Sequence, residues 1–383
     1  MLPQSHLPQL IPNRVNAAVQ RLAKNVWTEV EALMPEATQA QPKQVTLSEA
    51  KTLKRKAVGE CSFWGKLFDQ RWCYLKFAEK TDGQTWLFWT DQGEATLYVN
   101  NEPYFGFNVA HRSCRLPKGI KEVWIQSSCV QSAIWHPEAN GMDAKGSYFE
   151  GAWLRKRDDT YWNGYHDLKC FLDLALDQRH RENPQVPTTL AHFGQQPLVD
   201  KFSPEYRHML HGMDLAVDAF DSEGVEAMRK VIADLYKKLR LDQVQSHCIL
   251  TGHAHLDLVW IWPERIGELK AVNIFASMNH LMGEYPELRF AYSQPASYET
   301  VKRREPKLFK HVEQRLSQGQ WQATGAMYVE SDTMLACGEA LSRSFVLGQK
   351  GFTELVGKPS TLTWLPDVFG YSACMPQIMQ QTG

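Results

Sequence analysis

A multidomain chain of mixed α and β structure is predicted by three patterns. Apolar residues at helical spacing open the chain, short aromatic and β-branched segments follow, and short strands alternate with helices towards the end. The 383 residues correspond to two or three domains of ordinary size. We expect an N-terminal helical segment over 1–44, a β-sandwich over 45–158, a helical connection over 159–245 and a parallel β/α domain over 246–383.

The first three segments follow from local periodicity. An opening helix is predicted over residues 12–35, where apolar residues recur every three or four positions before Pro35. Further helices are predicted over Asp167–Leu176 and Ser203–Leu239. The sandwich is predicted from four strand-like segments separated by turn residues: Trp72–Phe77, Thr85–Trp89, Ala95–Val99 and Glu122–Gln126.

The last segment is predicted to repeat a strand–helix unit. The strands are expected at Cys248–Thr251, Leu288–Tyr292, Trp321–Thr324 and Thr361–Leu365. The helices are expected at Arg265–Met282, Tyr298–Leu316, Glu339–Val356 and from Pro376 onwards. Such repeats form parallel sheets, and enzymes with parallel sheets carry their active sites at the carboxyl ends of the strands.

Composition excludes several classes of partner. The formal net charge is −1 and no long run of Lys or Arg occurs, so neither nucleic acid nor an anionic membrane is expected to bind. No stretch approaches the ~18 apolar residues of a membrane span, and the start lacks a signal-peptide pattern. The eight cysteines form no C-x-x-C pair and are expected to be buried free thiols. We therefore expect a soluble, cytoplasmic protein; the sequence leaves a homo-oligomer open.

The segment from Thr251 to Pro263 carries the first candidate site. His253, His255 and Asp257 alternate with small or apolar residues, and alternate side chains of an extended strand point to one face. Imidazole nitrogens and a carboxylate are ligands that suit zinc. The competing interpretation is a chance His-x-His of hydrogen-bonded core residues. Asp367 follows the fourth strand and is a candidate for the same pocket, although a carboxylate there also suits a helix cap.

Four further residues are candidates for contact with a substrate. Trp260 and Phe369 lie close in sequence to the motif residues and either line the same pocket or belong to the core. Glu330 and Asp332 follow the third strand, where they either bind hydroxyl groups of a sugar or cap the next helix. The 13 tryptophans suit stacking against sugars, although each one alone is more simply explained as core.

These motifs resemble those of a known family. Gly252–Pro263 is similar to the first signature of glycoside hydrolase family 38, the α-mannosidases, and Trp364–Ser372 is similar to its nucleophile segment. Between them, Tyr328–Asp332 and Gly338-Glu339 resemble bacterial and cytosolic or vacuolar members. The resemblance is strong over residues 248–383 and looser over 45–240.

The resemblance implies a zinc-dependent retaining α-mannosidase that hydrolyses terminal α-mannosides of glycosides or oligosaccharides. It implies the first half of a seven-stranded, barrel-like β/α catalytic domain. His255 and Asp257 would bind zinc, and Asp367 would bind zinc and form the covalent glycosyl-enzyme as nucleophile. Trp260 would stack on the mannose, Phe369 would help to line the pocket, and His253 would support the site without binding zinc.

The resemblance also implies that the site continues beyond this chain. The fourth zinc ligand, a histidine, and the general acid are expected after Gly383, so the chain is expected to be an N-terminal portion that is inactive alone. Two alternatives stay open. An amidohydrolase-type metal hydrolase would use both His253 and His255 as ligands. A non-catalytic carbohydrate-binding protein would need the aromatic surface but not Asp367.

Overall fold

The computed structural model describes residues 7–130, 145–190, 201–241 and 247–382. They fall into two compact units, one of Met1–Val30 with Arg155–Cys248 and one of Glu31–Leu154 with Ile249–Gly383. The predicted boundary at 245/246 lies outside the described residues, and the division into four segments remains a prediction. Within the described ranges, no helix combines the length and apolar character that a membrane crossing requires.

The architecture mixes helices with antiparallel and parallel sheets. A short 3-10 helix, Pro8–Leu10, precedes the helices α1 (Ile11–Asn25), α2 (Leu47–Ala50), α3 (Asp159–Glu182), α4 (Pro204–Glu223), α5 (Val225–Lys238), α6 (Glu264–Glu284), α7 (Pro295–Arg304), α8 (Pro306–Ser317), α9 (Gly338–Val356) and α10 (Met375–Thr382). The strands are β1 (Trp27–Leu33), β2 (Glu36–Thr38), β3 (Arg55–Ala57), β4 (Ser62–Trp64), β5 (Gln70–Lys76), β6 (Thr85–Asp91), β7 (Glu94–Val99), β8 (Glu102–Phe107), β9 (Ser113–Arg115), β10 (Glu122–Ser128), β11 (Ser147–Arg157), β12 (Gly252–His253), β13 (Phe290–Tyr292) and β14 (Trp321–Ala323).

The first unit is a helical bundle formed by α1, α3, α4 and α5. Their apolar faces share one core, with Val15, Phe171, Met213 and Met228 fully buried. The opening helix was predicted to continue to residue 35, which is wrong: it ends at Asn25 and Trp27–Leu33 is strand β1. Val26, Val30 and Leu33 fit helical spacing by coincidence, while the aromatic and β-branched residues around them favour a strand.

The helical pattern predicted over Ser203–Leu239 is interrupted once. The segment forms two helices, α4 and α5, that meet at Gly224. Gly224 has a φ of 93°, a left-handed conformation that L residues with a side chain rarely adopt. Apolar spacing continues across the break and therefore does not reveal it.

The sandwich predicted from the strand-like segments is confirmed as two sheets on a common core. One sheet has the order β3-β2-β5-β10-β7-β8, and all of its neighbouring strands are antiparallel. The other has the order β1-β11-β6-β9, with β4 paired to β11. Cys73 and Leu97 from the first sheet and Trp89 and Phe149 from the second belong to one buried cluster.

The parallel sheet is present but shorter than predicted. Strands β12, β13 and β14 pair in parallel in chain order, and α6 packs its buried face, including Phe275, against Phe290 and Trp321 of this sheet. The strand expected at Cys248–Thr251 is instead Gly252–His253, because Ile249 and Leu250 are 94% and 85% exposed and bury no side chain.

Two further expectations for this region need correction. The fourth strand, expected at Thr361–Leu365, is reduced to one parallel bridge between Thr363 and Gly325. The helix expected over Tyr298–Leu316 is divided at Pro306 into α7 and α8, since proline cannot donate the backbone hydrogen bond that a continuous helix needs. The remaining helices, α6, α9 and α10, lie where the sequence predicted them.

Candidate active site

The first motif forms a loop between β12 and α6 that is held against the helix. Gly267 of α6 faces the backbone of Leu258 so closely that an added Cβ would lie 1.9 Å from the Leu258 carbonyl oxygen. Leu256 is buried beneath the loop, and the indole Nε1 of Trp262 donates a hydrogen bond to the Asp257 carbonyl at 3.1 Å. The loop is thus anchored by glycine packing and by one buried ring, and His255 and Asp257 project from it.

The second motif reaches the same place from the opposite side of the sheet, next to β14. The Thr363–Gly325 bridge and the hydrogen bond from Trp364 N to Gly325 O, 3.3 Å long, continue the parallel arrangement beyond β14. Leu365 is buried, and Asp367 lies just after it with its side chain 58% exposed. The carboxyl ends of β12 and of this bridged segment therefore meet at one edge, as expected for parallel strands.

His255, Asp257 and Asp367 converge on one point. The Nε2 atom of His255 is 3.5 Å from Asp257 Oδ1 and 3.5 Å from Asp367 Oδ2, and the three ligand atoms lie within 4.8 Å of one another. This Nε2 atom is buried and has no hydrogen-bond partner. A buried nitrogen without a partner is costly, so a group that accepts its lone pair is expected between it and the two carboxylates.

Glu330 holds the other side of the His255 ring. Its Oε2 pairs with His255 Nδ1, and its Oε1 accepts a hydrogen bond from the Ser293 hydroxyl. The carboxylate is 6% exposed, so both oxygens act within the protein. The hydrogen bond that His255 Nδ1–H donates to Glu330, with further attraction from the two aspartates, raises the pKa of His255 despite its partial burial. Glu330 therefore orients the ring so that Nε2 faces Asp257 and Asp367.

Gln294 ties the loop of the first motif to the segment that carries Glu330. Its Nε2 donates to the Leu256 carbonyl at 2.8 Å, and its Oε1 accepts from the Glu330 backbone N–H at 3.2 Å. Gln294 is 2% exposed and has a φ of 62°, a left-handed conformation that is costly for a residue with a side chain. Such strain is typical of sites where geometry matters more than stability.

His253 does not join the group. Its ring stacks on Trp364 with centroids 5.3 Å apart, and burial lowers its pKa. The extended strand that was to align all three motif side chains is only two residues long, so His255 and Asp257 lie in the following loop. Among the described residues, the cluster with metal-ligand geometry consists of His255, Asp257 and Asp367.

Comparison with known proteins finds similarity in the part of the chain that contains both motifs. Residues 245–383 match the glycosyl hydrolases family 38 N-terminal domain. Alpha-mannosidase 2C1 of Homo sapiens is 41% identical over 133 residues, which are 35% of this chain and 13% of that protein. Alpha-mannosidase G of Dictyostelium discoideum is 35% identical over 139 residues, and the alpha-mannosidase of Saccharomyces cerevisiae is 36% identical over 142 residues. These matches cover 36% and 37% of this chain and 13% of each relative.

The resemblance to family 38 inferred from the two motifs is thereby confirmed over residues 245–383. The matched part of the chain spans about one eighth of the length of each relative. Residues that precede 245 are outside the matched domain.

Two cavities open beside the cluster of the family 38 domain. The larger, of about 810 Å³, is lined by residues of both motifs and, on its far side, by residues of the sandwich: His253, His255, Asp257, Trp260, Asp367, Glu94, Phe105, Asn108 and His111. The smaller, of about 630 Å³, shares His255 and Asp257 and is lined also by Gln294, Glu299, Tyr328 and Glu330. Their size is in the range of sites for ligands larger than one sugar ring.

The other predicted contact residues are divided between these cavities and the surface. Trp260 lines the larger cavity with its ring 43% exposed. Phe369 is 89% exposed and is not part of either cavity wall. Asp332 Oδ1 accepts hydrogen bonds from the backbone N–H groups of Met334 and Leu335, which stabilise a turn. The expected cap of the next helix is wrong, because α9 begins after Cys337.

Several site residues were not predicted from the sequence. Ser293 and Gln294 directly follow strand β13, and that location was the available signal. Glu94 and Asn108 come from the sandwich, about 150 residues before the first motif, and no local pattern links them to it. The packing of α6 on β7 and β8 brings them to the cavity, with hydrogen bonds such as Gly106 N to Ser277 Oγ at 2.9 Å.

Proposed function

We propose that the protein is a zinc-dependent retaining α-mannosidase that hydrolyses terminal α-mannosides of glycosides or oligosaccharides. The observation that carries this proposal is the convergence of His255, Asp257 and Asp367, with a buried unpaired Nε2 directed at two carboxylates. The curated relatives that match this segment are named alpha-mannosidases.

The donor set and its spacing fit zinc. Nitrogen and oxygen ligands lie about 2.0–2.2 Å from zinc, so two donors of one tetrahedral site are roughly 3.4 Å apart. The 3.5 Å separations from His255 Nε2 to Asp257 Oδ1 and to Asp367 Oδ2 agree with that spacing. Glu330 on Nδ1 supplies the hydrogen bond that metal-binding histidines usually make through their other nitrogen. When bound, zinc would act as a Lewis acid that orients sugar hydroxyls.

Asp367 is proposed as the nucleophile. In a retaining glycosidase a carboxylate attacks the anomeric carbon while a second carboxyl group protonates the departing glycosidic oxygen, and that second group later activates the water that hydrolyses the glycosyl-enzyme ester. Asp367 is the most exposed member of the cluster and lines the larger cavity, so a sugar carbon has access to its oxygens. His255 and Asp257 would hold the metal and thereby fix the sugar, and Trp260 would stack on the apolar face of the mannose.

The remaining assignments are proposed with narrower support. Glu330 is proposed to act through His255, because both of its oxygens already have partners. Asp332 and Phe369 are proposed to contact substrate at the outer edge of the site. The bridge at Thr363, which continues the parallel order β12-β13-β14, supports a barrel-like β/α arrangement for the family 38 domain. The expectation that all cysteines are buried is wrong, because five of them are exposed: Cys61, Cys170, Cys248, Cys337 and Cys374. A cytoplasmic location is proposed because these exposed cysteines are thiols.

The two alternatives are less well supported. An amidohydrolase-type site would need His253 as a ligand, and its ring stacks on Trp364 outside the cluster. A carbohydrate-binding protein without catalysis would not need Asp367 to converge with His255 and Asp257. Both alternatives remain outcomes of the experiment below.

The test combines metal analysis with hydrolysis of a chromogenic α-mannoside by full-length protein. We expect stoichiometric zinc, loss of hydrolysis in the chelated protein, and recovery on adding zinc. Asp367→Ala should remove hydrolysis, whereas Glu339→Gln, which changes an exposed carboxylate on α9, should not. Retained hydrolysis by Asp367→Ala would reject the nucleophile assignment. Retained sugar binding without any hydrolysis by the unaltered protein would favour a binding protein, and loss of zinc in His253→Ala would favour the amidohydrolase-type site.

A further inference from the structure

A buried ion pair joins the sandwich to the helix behind the site. Lys270 of α6 and Glu94 of β7 are 2.5 Å apart (Nζ to Oε1), and their side chains are 9% and 12% exposed. Removing a lysine and a glutamate from water is expensive, and such a pair adds little stability compared with apolar residues of the same volume. Stability alone therefore does not explain why two charges lie here.

The Lys270 ammonium has a second contact, which leads to the site. Its Nζ lies 4.1 Å from the centroid of the Trp262 ring, a cation–π contact in a position largely removed from solvent. Trp262 in turn donates its Nε1–H to the Asp257 carbonyl at 3.1 Å. The same ring packs edge-on against Trp260, with centroids 5.2 Å apart and planes at 85°. One ring thus contacts both the backbone of a metal-ligand candidate and the aromatic wall of the cavity.

We propose that Glu94 and Lys270 are positioning residues for the metal site, acting through Trp262. Glu94 fixes the ammonium, the ammonium fixes the plane of the Trp262 ring, and the ring fixes the Asp257 backbone and the Trp260 side chain. The β-sandwich therefore helps to set the geometry of the zinc ligands, from a residue 163 positions before Asp257. The inference rests on the proposed zinc site.

Zinc affinity and the stability of the metal-free protein, measured side by side, distinguish positioning from a merely structural role. Lys270→Met should weaken zinc binding about tenfold or more, as loss of residues that orient metal ligands usually does. It should also destabilise the metal-free protein, because Glu94 is left buried and unpaired. The double variant Glu94→Gln/Lys270→Met removes that unpaired charge. We expect it to regain stability while its zinc affinity stays low.

Two further variants complete the experiment. Lys270→Arg keeps a cation between Glu94 and the Trp262 ring, and its zinc affinity should stay close to the original value. Lys307→Met breaks a matched pair, Lys307 with Glu102, that also joins the sandwich to a helix of this unit but lies on the exposed surface. It should change neither zinc affinity nor activity.

The outcomes separate this inference from the proposed function. Unchanged zinc affinity in the double variant would overturn the positioning role while leaving the zinc site intact. If the unaltered protein binds no zinc, or Asp257→Ala binds it equally well, the proposed zinc site itself fails and the positioning role fails with it. Equal loss of zinc affinity in Lys307→Met would also overturn the inference, because the effect would then follow from any contact between sandwich and helix.

Discussion

Two regions of one compact unit each contain a buried acid: the sandwich contains Asp91, and the candidate active site contains Glu330. The surroundings of the two acids differ. In the sandwich, Asp91 accepts hydrogen bonds from Trp64 Nε1 at 2.9 Å, from the Gly93 backbone at 3.1 Å and from the Ser147 hydroxyl, with Arg71 3.8 Å away. Burial raises the pKa of Asp91 in spite of the nearby arginine. Both oxygens of Asp91 accept hydrogen bonds inside the sandwich, while Nε and Nη2 of Arg71 have no hydrogen-bond partner.

The cluster around Glu330 is open at one end. Glu330 pairs with His255 and accepts from Ser293, but the chain of contacts ends at His255 Nε2, a buried atom without a partner. Two carboxylates lie 3.5 Å from that atom. Arg71 lies against the Asp91 carboxylate and the Trp64 ring, which suits a role in the fold. A buried imidazole nitrogen that faces two carboxylates from different loops instead suits something that binds there. The difference can be tested, because the two clusters should respond oppositely to the same kind of mutation.

The largest effect is expected from Asp91→Ala. Removing one partner of a buried charge pair costs about 3–5 kcal/mol of unfolding free energy. Arg71 and Trp64 Nε1 would be left without the carboxylate that they face. Chemical denaturation of the metal-free protein measures this loss, while zinc affinity of the folded variant should stay unchanged. A loss below about 1 kcal/mol would contradict the view of a structural cluster.

The next effect is expected from His255→Ala, and only in the presence of metal. Zinc at 100 times its dissociation constant should raise the unfolding free energy of the unaltered protein by about 2.7 kcal/mol. The variant should lose this increment, because Asp257 and Asp367 alone do not complete a zinc site. Thermal unfolding of the unaltered protein and of the variant, each with chelator and with zinc, measures the increment and its loss. An unaltered response to zinc in the variant would show that His255 is not a ligand.

The sequence predicted much of the candidate site and of the sandwich, and there is a physical reason why it did not predict the rest. The two motifs predicted His255, Asp257 and Asp367, and the alternating aromatic segments predicted β5, β6, β7 and β10. These signals are local, since strand patterning and polar residues after strands depend on near neighbours.

Tertiary features were not visible in the same way. The contact between Lys270 and Glu94 joins residues 176 positions apart, and the left-handed Gln294 depends on packing around Glu330. The helix predicted to residue 35 failed because helical spacing and a short strand share the same apolar residues there. Strand β12 was misplaced because Ile249 and Leu250 read as a buried strand but are exposed. Local periodicity does not report which surfaces are covered.

A smaller effect is expected from Glu330→Gln. The amide still fills the space beside His255 Nδ1 but carries no charge, so the ring is held less firmly with Nε2 towards Asp257 and Asp367. Changes of this kind typically weaken metal binding by about 10–100-fold. Competition with a chromogenic chelator measures the affinity, and Glu339→Gln on the surface of α9 is the matched control. Equal affinities for the two variants would mean that Glu330 does not orient His255.

The smallest effect is expected from Ser293→Ala, which acts one residue further from the proposed metal site. Ser293 is 2% exposed, and its hydroxyl donates to Glu330 Oε1. Losing one such hydrogen bond costs about 1 kcal/mol, which corresponds to roughly a fivefold change in zinc affinity if it is transmitted in full through Glu330 and His255. In the Glu330→Gln background the same substitution should add less, because the charge that the hydroxyl stabilises is already gone. A double-mutant cycle on zinc affinity measures this coupling, and strictly additive effects would show that Ser293 influences the site by some route other than Glu330.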